Sequence, residues 1–247
     1  MRLRACAPGD RIAVCDFWND TFSDRRHFTA MTPARWREVI EERDDFDPAR
    51  LVLAVERGRV EGLIHVGELQ ERECRRRWRD WPRGTMGLVM MLAVRTERRR
   101  RGIGGKLWLA GRDAVHPEQW CLDRGIYAMT PPLWGMPDGP AVLWDDSRTR
   151  KFLATRGYGT RSKIRAVELD LRLAVNVPAL KVRTAAVSPS THGVIQRKGK
   201  ALDVRITELR RAGVSRLEIV VDVEREWELL ERLSRAGFIK VCDWAAY

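Results

Sequence analysis

The sequence predicts a mixed α/β (α+β) protein built from two successive cycles of strands and helices. Three observations carry this. Gly87 to Leu109, GLVMMLAVRTERRRRGIGGKLWL, joins an apolar run of strand length to a basic, glycine-containing turn and then to a helix. Leu51 to Glu56 and Val60 to Leu69 are strand-like runs separated by Arg57-Gly58-Arg59, which is hairpin spacing with a turn glycine. KFLATRGYGTR returns later as ERLSRAGFIKV, in each case a short amphipathic helix stopped by glycine, with an aromatic residue entering the next strand.

Composition narrows the classes. At 247 residues, with 44% hydrophobic and 32% charged residues, the chain can bury a sizeable core as one large or two small domains. No apolar run is long enough to span a bilayer, and MRLRACAPGD lacks the apolar centre of a signal peptide. Cys6, Cys15, Cys74, Cys121 and Cys242 are odd in number and without CxxC spacing, which argues against a disulfide framework or a structural zinc site. A cytoplasmic protein with no membrane partner and no metal is expected. Of the 46 basic residues only 7 are Lys, so the net charge of +12 carries the arginine bias of a GC-rich coding sequence. It permits acidic ligands such as CoA phosphates or RNA without pointing to one of them.

In chain order, Leu3 to Ala7 reads as a first strand, and Asp10 as a cap for a helix running to about Phe22. Thr32-Pro33 starts a second helix with Trp36, Val39 and Ile40 on one face. After the hairpin, Gln70 to Gly84 reads as an exposed loop whose arginines, with Trp78 and Trp81, could meet an acidic or stacked partner. Gly102 and Gly104 open the helix Ile103 to Val115. Backbone N–H groups at such a helix start, with no Cβ in the way, make a pyrophosphate cradle. Gly125 to Met129 is expected as the next strand, followed by a loop rich in Pro, Gly and Trp. Asp145-Asp146-Ser147 then precede a short helix ended by Gly157, and Ile164 to Leu171 alternates like a strand.

The second cycle reads as a strand over Ala179 to Val187, a turn with Gly193 and Gly199, and a helix over Ala201 to Arg211. Leu217 to Val223 then forms a strand, Glu226 to Ala236 a helix, and Phe238 to Trp244 a closing strand. Two domains follow, a full unit over 1–172 and a partial one over 173–247. A partial unit exposes a sheet edge, so it must pair with the first unit or with another chain, a homodimer being the second case.

Leu92-Ala93-Val94 followed by Arg99-Arg100-Arg101-Gly102-Ile103-Gly104 resembles the acyl-CoA signature of the GNAT acetyltransferase superfamily: Arg or Gln, two residues, Gly, one residue, Gly or Ala, after a strand. The upstream order of strand, two helices and hairpin fits as well, and the second segment resembles a truncated, degenerate GNAT half. The resemblance implies a mixed sheet splayed near its fourth and fifth strands, flanked by helices, with acetyl-CoA held in the gap as co-substrate. The loop amides of Arg99, Arg100, Arg101, Gly102, Ile103 and Gly104, with Gly105 beside them, would hold the pyrophosphate. The strand backbone over Leu92, Ala93 and Val94 would hold the pantetheine arm. Gln196 to Ala201 satisfies the same pattern in one alignment and breaks it in another.

The implied activity is N-acetyl transfer from acetyl-CoA to an amine of a small molecule or protein. Such chemistry needs a base to free the amine lone pair and an acid to meet the leaving thiolate. The fourth strand offers no carboxylate, which leaves Glu68 on its neighbour as the candidate base, with His65 on the opposite face. The family's acid is commonly a tyrosine four residues before the Gly-aromatic pair. Here Leu153 and Leu233 hold that position, leaving Tyr127 as the candidate or exit of the thiolate to water. His27, Phe28, Trp134 and Met136 lie on loops that would frame the acceptor. A non-catalytic acyl-CoA-binding or regulatory module, and a basic nucleic-acid- or ribosome-binding protein, are the alternatives.

Overall fold

A computed structural model describes residues 1–23, 28, 30–44, 46–77, 84–115, 117, 119–122, 142–143, 146–160, 162–172, 180–182, 192–196, 202–204, 206–224 and 226–246. They fall into two units, Met1–Pro140 and Ala141–Tyr247. The boundary differs from the 172/173 division expected from the repeat, for a reason given by the strand pairing below.

In the first unit, β1 (Arg2–Ala5), β2 (Leu51–Glu56), β3 (Arg59–Leu69), β4 (Met86–Val94) and β5 (Gln119–Leu122) form one sheet in that order. The first three pairings are antiparallel, and β4 and β5 are parallel. Helix α1 (Arg11–Phe22) and helix α2 (Pro33–Trp36, extended by a π turn over Arg37–Glu41) bury Val14, Phe17, Trp18, Trp36 and Ile40 with Leu51, Leu53 and Leu63 of the sheet. The Thr32 hydroxyl caps α2 by accepting from the Arg35 N–H at 3.2 Å. Asp10 does not cap α1 as expected. Its carboxylate turns back to accept from the Ala7 N–H at 2.8 Å and from Arg4 Nη2 at 2.6 Å, tying β1 to the helix start.

One expectation is corrected here, and another lies outside the described residues. The first half of the charged stretch after Gln70 is a helix, α3 (Glu71–Arg77), seated by Cys74, which is fully buried. A lone apolar residue in QERECRRR leaves no period to read. The strand beside β4 is Gln119–Leu122, directly after the helix, and the expected strand over Gly125–Met129 lies outside the described residues. The two glycine-bearing packing points lie on the face away from α1. Helix α4 (Ile103–Ala114) lies so close to the sheet that a Cβ on Gly111 would sit 2.7 Å from Ile64 Cδ1, and one on Gly62 would sit 3.0 Å from Leu107 Cδ1.

The second unit contains β6 (Val142–Leu143), α5 (Ser147–Ala154), β7 (Ser162–Asp170), β8 (Leu180–Val182), β9 (His192–Gln196), β10 (Leu202–Val204), α6 (Ile206–Arg211), β11 (Arg216–Asp222), α7 (Trp227–Arg235) and β12 (Ile239–Ala246). Its main sheet has the order β6-β12-β7-β11-β9, and β8 and β10 form a separate antiparallel pair. The closing strand β12 lies between β6 and β7 and is antiparallel to both. Elements read from sequence as the end of the first cycle thus complete the second sheet, which moves the boundary. The edge of β12 is covered from within this chain.

The helix expected over Ala201–Arg211 is half strand. Leu202, Asp203 and Val204 pair with Val182, Lys181 and Leu180, and α6 starts only at Ile206. The apolar set Leu202, Ile206 and Leu209 fits a helical period. The antiparallel partner, some twenty residues upstream, overrides it. The pattern Gln196–Ala201 is followed by a strand and not by a helix, and its residues 197–201 lie outside the described residues.

Helices α5, α6 and α7 all end by one device. Gly157, Gly213 and Gly237 have φ of 83°, 80° and 89°. The next residues, Tyr158, Val214 and Phe238, donate their N–H to the carbonyls of Leu153, Leu209 and Leu233 at 3.2, 2.9 and 3.0 Å. This satisfies carbonyls that the helix end would otherwise orphan and directs an apolar side chain back onto the core.

Candidate functional site

β4 changes character midway. Met86, Leu88 and Met90 face the core under α1, and then so do Met91 and Ala93, so the parity of the inward residues reverses at Met90. The pairing explains this: His65 is opposite Met91 but Val66 is opposite Val89, which makes Met90 an extra, bulged residue. Among the described residues, the parallel pairing with β5 runs from Met86↔Gln119 to Val89↔Leu122. Beyond Met90, Met91 to Val94 stay paired with β3, and no described strand lies on their other side. Leu92 and Val94 are half-buried and Ala93 is buried.

The strand then enters a turn held by charge. Arg95 is 3% exposed. Its backbone N–H donates to the Glu61 carbonyl at 3.0 Å, its Nε to the Val60 carbonyl at 2.7 Å, and its Nη1 to Asp20 Oδ2 at 2.5 Å. Its guanidinium also lies over the Phe17 ring, 5.4 Å from the centroid. The hydrogen bond from Arg95 holds the Asp20 carboxyl below the usual carboxylate range, helped by Arg59. Arg98 pairs with Glu56 and lies 3.5 Å from Glu61 Oε2. Glu61 is itself the bulged residue of β3, between Gly62, opposite Ala54, and Val60, opposite Val55. Two bulges, one per strand, thus aim the β4 edge and the turn's anchor. Arg98, through Glu56 and Glu61, is an anchor of the turn.

The loop itself is left-handed at two alternate positions. Arg100 has φ 64° and Gly102 has φ 77°, ψ −2°. Gly102 is the N-cap of α4, and the Lys106 N–H donates to its carbonyl at 3.1 Å. That bond is the helix's first, so the N–H groups of Ile103, Gly104 and Gly105 precede the intrahelical ladder. Nothing lies within 4 Å of where a Gly102 Cβ would stand. Alternating left-handed residues feeding a helix N-terminus form a concave set of donors with the positive end of the helix dipole behind it. Arg99, Arg100 and Arg101 are exposed around it, and Arg99 Nε folds back onto the Val94 carbonyl at 3.1 Å. The donor set suits a pyrophosphate, and the β4 backbone beyond Met90 suits an amide-bearing arm running from it.

Of the remaining candidates, Glu68 lies opposite Gly87, in the paired half of β4, with Oε2 3.5 Å from Arg50 Nη2. His65 is fully buried, with its ring edge-on to Phe46 at 5.6 Å. Burial pushes its pKa from 6.5 down to about 3, and the charge of Arg50 adds to the effect. An imidazole that stays neutral in the fold but charges when unfolded makes the unfolded chain bind the extra proton between those two values. Stability should therefore be complete above about pH 6.5 and fall as pH drops toward 3, with a slope approaching about 1.4 kcal/mol per pH unit. Denaturant titrations from pH 7.5 to 4 on the wild type and His65→Gln test this: equal slopes in the two proteins would remove His65 as the cause. Tyr127, His27, Trp134 and Met136 lie outside the described residues. Leu153 and Leu233, where the resemblance expects a tyrosine, are buried and give their carbonyls to the helix caps.

Sequence reasoning missed Arg95, Glu61 and Asp20, because their contacts join segments far apart in the chain. The apolar pair Met90-Met91, inside a strand whose inward positions should alternate, was the available sign of the bulge.

No protein-family sequence model matches this chain, and no functionally curated protein matches it. Solved structures do match in fold. The chain overlays on a glucosamine N-acetyltransferase region in a fungal multi-domain GH3 β-N-acetylglucosaminidase with a TM-score of 0.61 at 13% identity. The match covers 98% of this chain but only 37% of that larger one. A GCN5-related N-acetyltransferase from Sphaerobacter thermophilus matches with a TM-score of 0.53 at 14% identity, covering 99% of this chain and 93% of the other. A protein from Pyrococcus horikoshii, provisionally described as an acetyltransferase, matches with a TM-score of 0.51 at 11% identity over 99% and 87%. The chain has the GNAT acetyltransferase fold. Among the described residues, no helix is long and apolar enough to cross a membrane.

Proposed function

We propose that the chain is an N-acyltransferase that takes its acyl group from acetyl-CoA and delivers it to an amine of a small molecule or protein. What supports this reading is the conjunction of the β4 edge beyond Met90, which no described strand pairs on that side, with the left-handed loop at the start of α4. Either alone is common. A free parallel-side strand edge that runs directly into an anion cradle is the arrangement an acyl-CoA needs.

In this reading the N–H groups of Ile103, Gly104 and Gly105 and the turn Arg99–Gly102 hold the pyrophosphate. The backbone of Leu92, Ala93 and Val94 orients the arm, and the exposed Arg100 and Arg101 raise the local concentration of an anionic ligand. The bound donor supplies a thioester carbonyl open to attack by a neutral amine. The amine's proton goes to Glu68 through water in this proposal, and Tyr127 protonates the departing sulfur. Glu68→Gln and Tyr127→Phe, assayed for kcat at saturating acetyl-CoA, test the two roles; an unchanged kcat in either removes that residue.

One observation favours a second reading, a module that binds acyl-CoA without turnover: both positions expected to hold the proton donor are buried leucines. Calorimetric titration with acetyl-CoA, followed by thiol release over an amine panel, separates the two. Binding with turnover supports the enzyme, binding without turnover supports the module, and no binding overturns both.

A further inference from the structure

A second concavity opens in the first unit where α1 ends, with a volume of about 680 Å³. Its wall includes Asp20 and Thr21 of α1, Phe28 from the connection to α2, Arg59 at the start of β3, and Arg95 and Glu97 just after β4. The size is within the range of small-molecule sites, with room for a ligand that carries a side chain.

The charges in this opening are unequal in commitment. Arg95 and Asp20 are joined at 2.5 Å, and Arg95 is further fixed by the Val60 carbonyl. Arg59 and Glu97 are more than half exposed and 3.5 Å apart, and Arg59 is equally far from Asp20 Oδ2. Pairs so exposed and so long contribute little and exchange readily. Thr21 is 5% exposed, and its hydroxyl has no hydrogen-bond partner among the described residues.

These charges select against simple ions. A plain anion brought to Arg59 meets the carboxylates of Asp20 and Glu97, and a plain cation brought to those carboxylates meets Arg59. A ligand bearing both charges is opposed by neither. We propose that this concavity binds a small zwitterion, an α-amino acid, with its carboxylate on Arg59 and its ammonium on Glu97 and Asp20. Phe28 offers the apolar wall for its side chain. The guanidinium fork matches a carboxylate in two parallel hydrogen bonds, a better partner than its present contacts at 3.5 Å. The site stands on its own residues; only its use as the pocket of the acyl acceptor rests on the acyl-CoA reading.

The test is calorimetric titration of the full chain with the free L-amino acids, then with the N-acetyl and amide derivatives of the tightest binder. At least one amino acid should bind with Kd below about 1 mM, and each blocked derivative should lose about tenfold or more. In Arg59→Gln the free acid and its amide should bind alike; in Glu97→Gln the free amine and its N-acetyl form should bind alike. No binding by any amino acid up to about 10 mM, or blocked forms that bind as well as free ones, overturns the proposal. Acetyl-CoA affinity, measured on the same samples, should be unchanged in Arg59→Gln. In the wild type, acetyl-CoA binding without any amino-acid binding sinks this site alone, and amino-acid binding without acetyl-CoA binding sinks the acyl-CoA reading alone.

Discussion

Gly102→Val is expected to lower acetyl-CoA affinity at least tenfold while both units stay folded, and Gly102→Asn to keep most of it. Gly102 holds φ 77° with open space around its missing Cβ, so the penalty for a side chain is conformational and not steric crowding. A β-branched residue in the left-handed region costs about 1–3 kcal/mol, whereas asparagine tolerates it. The loop can relieve that strain by rotating the Gly102 peptide, which turns the following N–H groups away from the concave face. A tenfold loss corresponds to about 1.4 kcal/mol, within the range of the strain that drives the rotation. Calorimetry on the three proteins, with circular dichroism as the check on folding, gives the result. Equal affinities for the valine and asparagine variants would mean that left-handed geometry at Gly102 does not shape the cradle. Arg100, already left-handed without being glycine, shows that the loop is held by its surroundings and not by its own preference.

What the sequence disclosed about this site follows the same division between local and distant causes. The apolar run of β4, the glycines at the head of α4 and the Gly-aromatic stops are local signals, and the structure has each of them. Thr32 before α2 and Asp146 before α5 act as caps for the same reason, a side-chain oxygen meeting a backbone donor within one turn, and Pro33 fits the first helical position. The departures lie where a distant partner decides. Leu202 to Val204 join β8 against a helical period, α3 is seated by the buried Cys74, and β12 enters between β6 and β7. The bulges at Glu61 and Met90 set which residues of β3 and β4 face the core, yet a bulge leaves only one extra residue in an apolar run. The bonds that brace the turn span 34 to 75 residues of chain, from Arg95 back to the Glu61 carbonyl and the Asp20 carboxylate, beyond any window of periodicity.

The largest loss of stability from a single change at the site is expected at Arg95. Arg95→Met keeps the stem and removes the fork. The Val60 carbonyl, buried, loses its donor, which costs about 1–3 kcal/mol; the bond to Asp20 and the contact with Phe17 add less, because Asp20 is 57% exposed on its side chain and can turn to water. A net loss of about 3 kcal/mol is expected from denaturant melts of the first unit. Asp20→Asn, which leaves the carbonyl satisfied, should cost less than about 1 kcal/mol. Because the Arg95 backbone N–H also ties β4 to Glu61, a loosened guanidinium frees the segment that sets Arg99 to Gly102, and acetyl-CoA should bind more weakly in Arg95→Met. The Asp20 carboxyl reports the break directly: with its main hydrogen-bond donor gone, its titration by NMR should move up toward the ordinary carboxylate range. In the wild type that depressed pKa makes the pair's contribution complete above the unfolded value and lost as pH falls through the folded one, so the stability difference between wild type and Arg95→Met should narrow in acid. A difference that holds constant to low pH, or a loss no greater than that of Asp20→Asn, would show that the buried fork does not brace the turn.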